Sequence, residues 1–172
     1  MSEIQKVQQN NIAEAPEEAQ KLGGFTVVGI TTRTNNKDGQ ATIAINNLWQ
    51  RFFEEAVGEA IPAKDGEAIY AVYHSYDGDH EADYSLTIGC RVKTDDFALA
   101  DGLDNVFVEG GEYAMFAAQG EQPKALIDTW QSIWKTDIKR AFKTDVEIYG
   151  RRFFEDGIHE ILVCIGTPSE NS

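Results

Sequence analysis

The chain of 172 residues lacks the features of membrane and secreted proteins. No apolar run reaches the roughly 18 residues that a membrane-spanning helix needs. Residues 1–20 are polar and acidic, without the basic start and apolar stretch of a signal peptide. We therefore expect a cytoplasmic protein with no membrane partner.

Recognisable metal and cofactor motifs are also missing. The two cysteines, Cys90 and Cys164, form no CxxC pair and lie in apolar runs where buried free thiols are usual. The three histidines are scattered along the chain. The sequence contains no Gly-rich nucleotide loop, no GxSxG elbow and no EF-hand spacing. We expect neither a metal nor a cofactor.

Positive charge is scarce, with 15 Lys and Arg against 29 Asp and Glu and a net charge of −14. Such a surface repels phosphate backbones and anionic membranes, so direct nucleic-acid binding is not expected. It weakly attracts cationic partners, although the same charge also simply keeps a protein in solution.

The first half of the chain reads as strand, helix, strand, strand. Apolar side chains along the helix recur at steps of three and four residues, and the last two strands have the pattern of a hairpin. The predicted segments are Phe25–Thr31, Ile43–Val57, Glu67–Tyr76 and Tyr84–Val92.

The second half repeats this order. An Ile-Gly pair lies late in the last strand of each half, at Ile88-Gly89 and Ile165-Gly166, and each helix carries a central Trp. The predicted segments are Glu112–Ala118, a helix over Lys124–Phe142, Asp145–Tyr149 and Glu160–Thr167.

This order predicts an α+β fold of duplicated βαββ units forming one antiparallel sheet with two long helices on one face. We expect one domain over residues 23–168, with halves at about 23–94 and 106–168. Residues 1–22 would be a flexible lead, with a short strand near Ile4–Val7, and residues 169–172 a tail. The joint between two such halves is a natural place for a cleft.

One predicted strand, within Thr144–Arg152, has alternating polar and apolar residues and carries a carboxylate and a phenol. Side chains alternate faces along a strand, so Glu147 and Tyr149 share the face opposite Val146 and Ile148. If that face meets a cleft, a carboxylate beside a phenol could hold a cation or activate a water. If it meets solvent, Glu147 is an ordinary surface residue that pairs with Arg151 or Arg152.

Aromatic residues on the helices could line such a cleft. Trp130 and Trp134 are one helical turn apart and share a face, although aromatics at this spacing are most often core. Trp49 mirrors Trp130 in the first helix. Further wall candidates are Tyr70, Tyr73 and Phe116, and alternation does not decide which of the two tyrosines faces the cleft.

Taken together, these segments resemble the GyrI-like small-molecule-binding domain, which is the effector-binding domain of AraC-type and MerR-type regulators. The most specific part is Asp145–Tyr149, which is similar to the family's Asp-Phe-Glu-x-Tyr signature with Val146 replacing the aromatic. The other matching residues are Phe25–Gly29, Ile69–Tyr73, Asp83 with Tyr84, Gly111–Phe116, and Trp130 with Trp134.

The resemblance implies a groove between the two helices, with Glu147 meeting the positive charge of lipophilic cations. The other ligand contacts that we expect are Tyr149, Trp130, Trp49, Tyr73, Tyr70 and Phe116. The 24 residues before Phe25 are too few for a helix-turn-helix domain and are not basic, so we expect a standalone form without a DNA-reading part.

We therefore predict a standalone protein that binds an aromatic or cationic, effector-like or drug-like small molecule. A first alternative, which the resemblance implies because some members of the family are hydrolases, is a hydrolase of strained electrophilic natural products. Glu147 would be its general base and Tyr149 would orient the water. The sequence leans away from an enzyme because these two residues have no recognisable catalytic partner. A second alternative is an acidic modulator that binds a basic protein. The net charge of −14 motivates it, and the resemblance implies DNA gyrase as such a partner.

Overall fold

The computed structural model describes residues 18–78, 82–94, 98–136, 139–154 and 158–168. The strands are β1 (Glu18–Leu22), β2 (Phe25–Thr34), β3 (Ile69–His74), β4 (Tyr84–Val92), β5 (Asp104–Val108), β6 (Gly111–Ala118), β7 (Thr144–Tyr149) and β8 (Ile161–Gly166). The helices are α1 (Gln40–Glu54), α2 (Val57–Ala60) and α3 (Lys124–Lys135), followed by a 3₁₀ turn at Arg151–Phe153.

The strands form one eight-stranded sheet in the order β1-β6-β8-β7-β3-β4-β2-β5, and all its described pairings are antiparallel. Two βαββ units, β2-α1-β3-β4 and β6-α3-β7-β8, meet at the pairing of β3 with β7. The predicted α+β fold of duplicated units with the two long helices on one face is thus confirmed.

Two glycine-containing links make the sheet curl. Strand β1 pairs with β6 near one end of the sheet, yet only Gly23 and Gly24 separate it from β2 near the other end. Strand β5 is likewise separated from β6 only by Glu109 and Gly110. A Cβ on Gly110 would lie 3.0 Å from the Gly24 nitrogen, so the two links touch. Because such short links join opposite ends, the sheet cannot lie flat.

The curl buries both faces of the sheet. On the helix face, Leu48 and Phe52 of α1 and Ile133 of α3 pack with strand residues in one core. On the other face, Val72 and Val146 belong to a second core enclosed by the strands. This explains why Val146 alternates with Glu147: Val146 packs inside the curl, and Glu147 faces the helices.

Several boundaries differ from the sequence expectations, and those of β1, α3 and α1 are among them. Glu18–Leu22 lies in the expected lead but forms edge strand β1 against β6, a long-range pairing that local composition does not reveal. Helix α3 ends at Lys135 rather than Phe142 because Thr136 is extended and its hydroxyl bonds to the Ile133 carbonyl. Helix α1 begins at Gln40 and ends at Glu54, and Ala56 then adopts a positive φ.

Some expectations fall outside the described residues. These are the short strand near Ile4–Val7 and the tail 169–172. Cys90 and Cys164 are buried free thiols, as predicted. Among the described residues, no helix is long and apolar enough to cross a membrane.

Close approach of β2 and β4 yields a stability prediction. Gly29 pairs with Gly89, and a Cβ on Gly89 would lie 2.0 Å from the Val28 carbonyl oxygen. We expect Gly89→Ala to lower the free energy of unfolding by about 3 kcal/mol, because the partner backbone would have to move. Denaturant unfolding measures this loss.

The matched control is Gly111→Ala, since a Cβ there meets nothing within 4 Å. We expect it to change the free energy of unfolding by less than about 0.5 kcal/mol. Equal stabilities of the two variants would contradict the steric explanation.

Candidate functional site

A cavity of about 670 Å³ lies between α1 and α3 above the central strands β3 and β7. Its volume falls in the range of roughly 300–1,000 Å³ that is typical of small-molecule sites. The cavity sits where the two βαββ units join, which is the place that the duplicated sequence indicates for a cleft.

Each long helix divides its apolar residues between core and cavity. In α1, Leu48 and Phe52 are buried in the core, while Trp49 and Phe53 line the cavity. Helix α3 repeats this division. Several large apolar side chains of the lining stay exposed, and such patches mark binding surfaces. They are Phe53, Ile127, Trp134 and Phe154.

Glu147 lies on the cavity floor with only 1% of its surface exposed. Its Oε2 accepts hydrogen bonds from the Tyr73 hydroxyl at 2.9 Å and the Trp130 Nε1 at 2.7 Å. Its Oε1 accepts one from the Tyr149 hydroxyl at 2.8 Å. These three donors come from β3, α3 and β7, so the carboxylate joins both halves of the fold.

Strand register explains this arrangement. Glu147 pairs with Ala71 across β7 and β3, and the small alanine leaves room for the longer side chain. Tyr149 and Tyr73 each follow two residues later on their own strands, so they share the face of Glu147 and lie on opposite sides of it. A shift of one residue would turn all of them into the other core.

Burial dominates the electrostatics of the site. Desolvation raises the pKa of the Glu147 carboxyl above its usual range, and the hydrogen bonds from Tyr149, Trp130 and Tyr73 oppose that rise. Burial, with the nearby carboxylate, raises the pKa of Tyr73 and of Tyr149 well above the ordinary value. Both phenols therefore stay protonated and keep donating.

A second buried carboxylate, Asp145, lies two residues before Glu147 on the same strand. It forms an ion pair with Arg140 at 2.7 Å and accepts hydrogen bonds from the Tyr76 hydroxyl and the Gly166 nitrogen. Arg140 and Tyr76 also line the cavity. The sequence interpretation missed this group because it placed Arg140 inside a longer helix. The sequence did offer one indication, because Asp145 and Glu147 are two residues apart on a strand and therefore project from the same face.

Five of the seven expected ligand contacts line the cavity, namely Glu147, Tyr149, Trp130, Trp49 and Tyr73. The other two lie elsewhere. Tyr70 belongs to the opposite face and packs on Phe25, with ring centroids 5.4 Å apart, because it alternates with Tyr73. Phe116 is fully buried in the core. The positions of Tyr70 and Phe116 therefore do not support ligand contacts by these residues.

The solvent-facing interpretation of Glu147 does not hold. The carboxylate is buried, and Arg152 instead pairs with Glu160 at 3.1 Å. The lining residues that were not expected from the sequence include Phe53, Phe153, Phe154 and Tyr76. Among the described residues, no group of three or more His, Cys, Asp or Glu could hold a metal ion.

A curled antiparallel sheet carrying two helices, with an aromatic cavity over a buried glutamate, defines a GyrI-like effector-binding domain. The family model that matches the chain agrees. It describes Cass2, the integron-associated effector binding protein, and it matches residues 19–165. The chain belongs to this family.

Solved structures support the fold. An integron cassette protein from the mobile metagenome of Vibrio cholerae is 26% identical with a TM-score of 0.68, covering 88% of this chain and 95% of its own. SAV2435, solved bound to tetraphenylphosphonium, is 21% identical with a TM-score of 0.68, covering 86% and 91%.

A third structure is a protein from Staphylococcus aureus MU50 described as a bacterial transcription regulation protein. It is 20% identical with a TM-score of 0.63, covering 86% of this chain and 95% of its own. The two similarities below 25% identity establish shared fold alone. No protein with a curated function matches the sequence.

The raised pKa of Glu147 predicts that this residue costs stability at neutral pH. A carboxyl with a raised folded-state pKa favours folding while it is protonated, and it loses that contribution as pH rises through the folded-state value. We expect Glu147→Gln to be more stable than the wild type at pH 7. The amide oxygen can accept from Trp130 and Tyr73, and its nitrogen can donate to the Tyr149 oxygen.

Denaturant unfolding between pH 4 and pH 8 measures this difference, which should shrink as pH falls toward the ordinary carboxyl range. Glu59→Gln, which changes an exposed carboxylate outside the cavity lining, controls for net charge. A Glu147→Gln protein that is less stable than the wild type at every pH would contradict the prediction.

Proposed function

We propose that this protein binds small aromatic cations in the cavity between α1 and α3. The observation that carries the proposal is Glu147, a buried carboxylate held by three donors on the floor of an aromatic-walled cavity. Burial of an ionised carboxylate is unfavourable without a compensating positive charge. A cationic ligand supplies that charge.

The charge balance of the cavity supports a positive ligand. The charged residues of the lining are Glu147 and Arg140, and Arg140 is already paired with Asp145. The negative charge of ionised Glu147 therefore has no cationic partner among the described lining residues. The net charge of −14 adds a long-range attraction for cations.

The hydrogen bonds of Glu147 favour bulky cations over compact ammonium groups. Three donors already occupy its oxygens, and little of its surface is accessible. A ligand therefore meets its field more readily than it forms a direct hydrogen bond. Weakly hydrated cations suit this arrangement, and each ring contact with Trp49 or Trp130 adds roughly 0.5–2 kcal/mol. Tetraphenylphosphonium, present in one related structure, is such a cation.

We infer an effector-sensing or multidrug-binding role in the cytoplasm, related to that of regulators of the AraC type. The family description, an effector binding protein, supports this wider role. Since the net charge disfavours direct contact of residues 1–172 with nucleic acid, a part in transcription regulation would require a DNA-reading part outside them.

Binding is better supported than hydrolysis. A general base needs an accessible lone pair and a water within hydrogen-bond reach. Glu147 is 1% exposed, and three protein donors direct their hydrogens at its two oxygens. The acidic-modulator alternative depends on net charge alone, and no surface of the described residues adds to it. We therefore advance neither.

Removal of the charge at Glu147 tests the proposal. We expect Glu147→Gln to bind tetraphenylphosphonium about 10- to 100-fold more weakly, because a charge some 6 Å away contributes a few kcal/mol at an effective dielectric constant near 20. Binding is measured by calorimetry, with tryptophan fluorescence as a second signal.

Two controls isolate the charge. Triphenylphosphine oxide, an uncharged aromatic molecule, should bind both proteins alike, and Glu59→Gln should bind tetraphenylphosphonium as the wild type does. Equal affinity of wild type and Glu147→Gln for the cation would remove the charge role. Absence of cation binding by the wild type would remove the proposal.

Cation affinity should also depend on pH. Because the pKa of Glu147 is raised, its charge is lost at a higher pH than that of an ordinary carboxyl. We expect the affinity of the wild type for tetraphenylphosphonium to fall as pH is lowered, starting above the ordinary carboxyl range near 4.3. Glu147→Gln should show no such fall, and a parallel decline in both proteins would contradict the assignment.

A further inference from the structure

The cavity wall carries a second charged group, Arg140, that cation binding at Glu147 does not use. Its side chain is only 7% exposed. Its guanidinium carbon lies 5.8 Å from the ring centroid of Trp130 and 4.3 Å from that of Phe142. A guanidinium enclosed by aromatic rings on the wall of a binding cavity is a directional donor for a ligand.

The protein uses few of the donors of Arg140. Its Nη2 bonds to Asp145 Oδ2 at 2.7 Å. Asp145 Oδ1 instead accepts a hydrogen bond from the Gly166 nitrogen, so the arginine and the carboxylate do not form a bidentate pair. Nε of Arg140 is buried without a hydrogen-bond partner. Nη1 makes no hydrogen bond to the described residues. Donors therefore stay available at this wall.

Glu147 and Arg140 form two poles of opposite sign. Asp145 and Glu147 project from the same face of β7, about 7 Å apart along the strand. Trp130 lies between the poles, since its Nε1 donates to Glu147 while its ring faces Arg140. A flat aromatic ligand packed along this indole would have one end toward each pole.

We propose that Arg140 forms an acceptor subsite, meaning a place where the guanidinium donates hydrogen bonds to an acceptor oxygen of the ligand. The preferred ligand is then an aromatic cation with a carbonyl or carboxylate oxygen at its opposite end. The positive charge lies near Glu147 and the oxygen accepts from Arg140. Dications are disfavoured, because their second charge would face the guanidinium. This inference rests on the proposed function and narrows its ligand class.

A purely structural role for Arg140 predicts something different. If Arg140 only neutralises Asp145, its replacement alters stability and leaves relative affinities within a ligand series unchanged. The ratio of affinities between ligands of matched shape is therefore the decisive measurement, because general loosening of the cavity affects both members of a pair.

Four N-methyl-4-phenylpyridinium ligands that differ in the para substituent provide two matched pairs. Carboxamide against isopropyl tests the acceptor subsite at equal charge and similar shape. Trimethylammonium against tert-butyl tests the second charge. In the wild type, we expect the carboxamide to bind about tenfold more tightly than the isopropyl compound, and the dication about tenfold more weakly than the tert-butyl compound. Calorimetry measures all four affinities.

The informative variant is Arg140→Met with Asp145→Asn, which removes the pair together and leaves no buried carboxylate uncompensated. We expect both affinity ratios to fall toward one in this variant. Arg51→Met is the control, because Arg51 is an exposed arginine of α1 outside the cavity lining. It should keep the wild-type ratios.

The outcomes separate the two proposals. If the isopropyl and tert-butyl cations bind but both ratios are near one in the wild type, Arg140 is not an acceptor subsite. Wild-type ratios that persist in the double variant would also overturn the inference. If none of the four ligands binds while tetraphenylphosphonium does, this inference is wrong and the proposed function stands. If tetraphenylphosphonium also fails to bind, both fail.

Discussion

The buried carboxylate of Glu147 constrains the rest of the structure. An ionised group removed from water must be hydrogen-bonded, and its donors here come from β3, α3 and β7. These three hydrogen bonds form only when several features are in place at once. They are the joint between the two halves, the position of α3 and the register of β7 with β3. The same carboxylate provides the negative charge of the cavity floor, so one residue links the fold to the proposed binding of cations.

The cavity exists because α1 and α3 do not bury all of their apolar side chains. Leu48, Phe52 and Ile133 complete the core, whereas aromatic residues such as Trp49 and Trp134 stand over the central strands. The curled sheet encloses its second core without help from the helices, since the glycine links join its opposite ends. The helices are consequently free to stand apart, and their exposed aromatic surface is retained for a ligand.

Several features of this fold follow from local patterns. The bounds of β4 are those predicted, and both βαββ units appear in order, because alternation and helical periodicity are set by which faces are buried. The common face of Glu147 and Tyr149 follows from the two-residue period of a strand. Strand β1 and the early end of α3 could not be predicted from local patterns. Strand β1 depends on its pairing with β6, and the end of α3 depends on the extended Thr136, whose hydroxyl bonds to the Ile133 carbonyl.

The amino-acid sequence alone is sufficient for the duplicated fold and the acidic surface, since these depend on composition and periodicity. Its resemblance to the GyrI-like signature selects Glu147 as the residue of interest. Tertiary structure decides that Glu147 is buried, that Tyr73 rather than Tyr70 reaches it, and that Arg140 pairs with Asp145 on the same wall. The reason is physical. Burial, pairing register and the direction of a loop after a helix depend on residues distant in the chain, and only packing of the two halves brings them together.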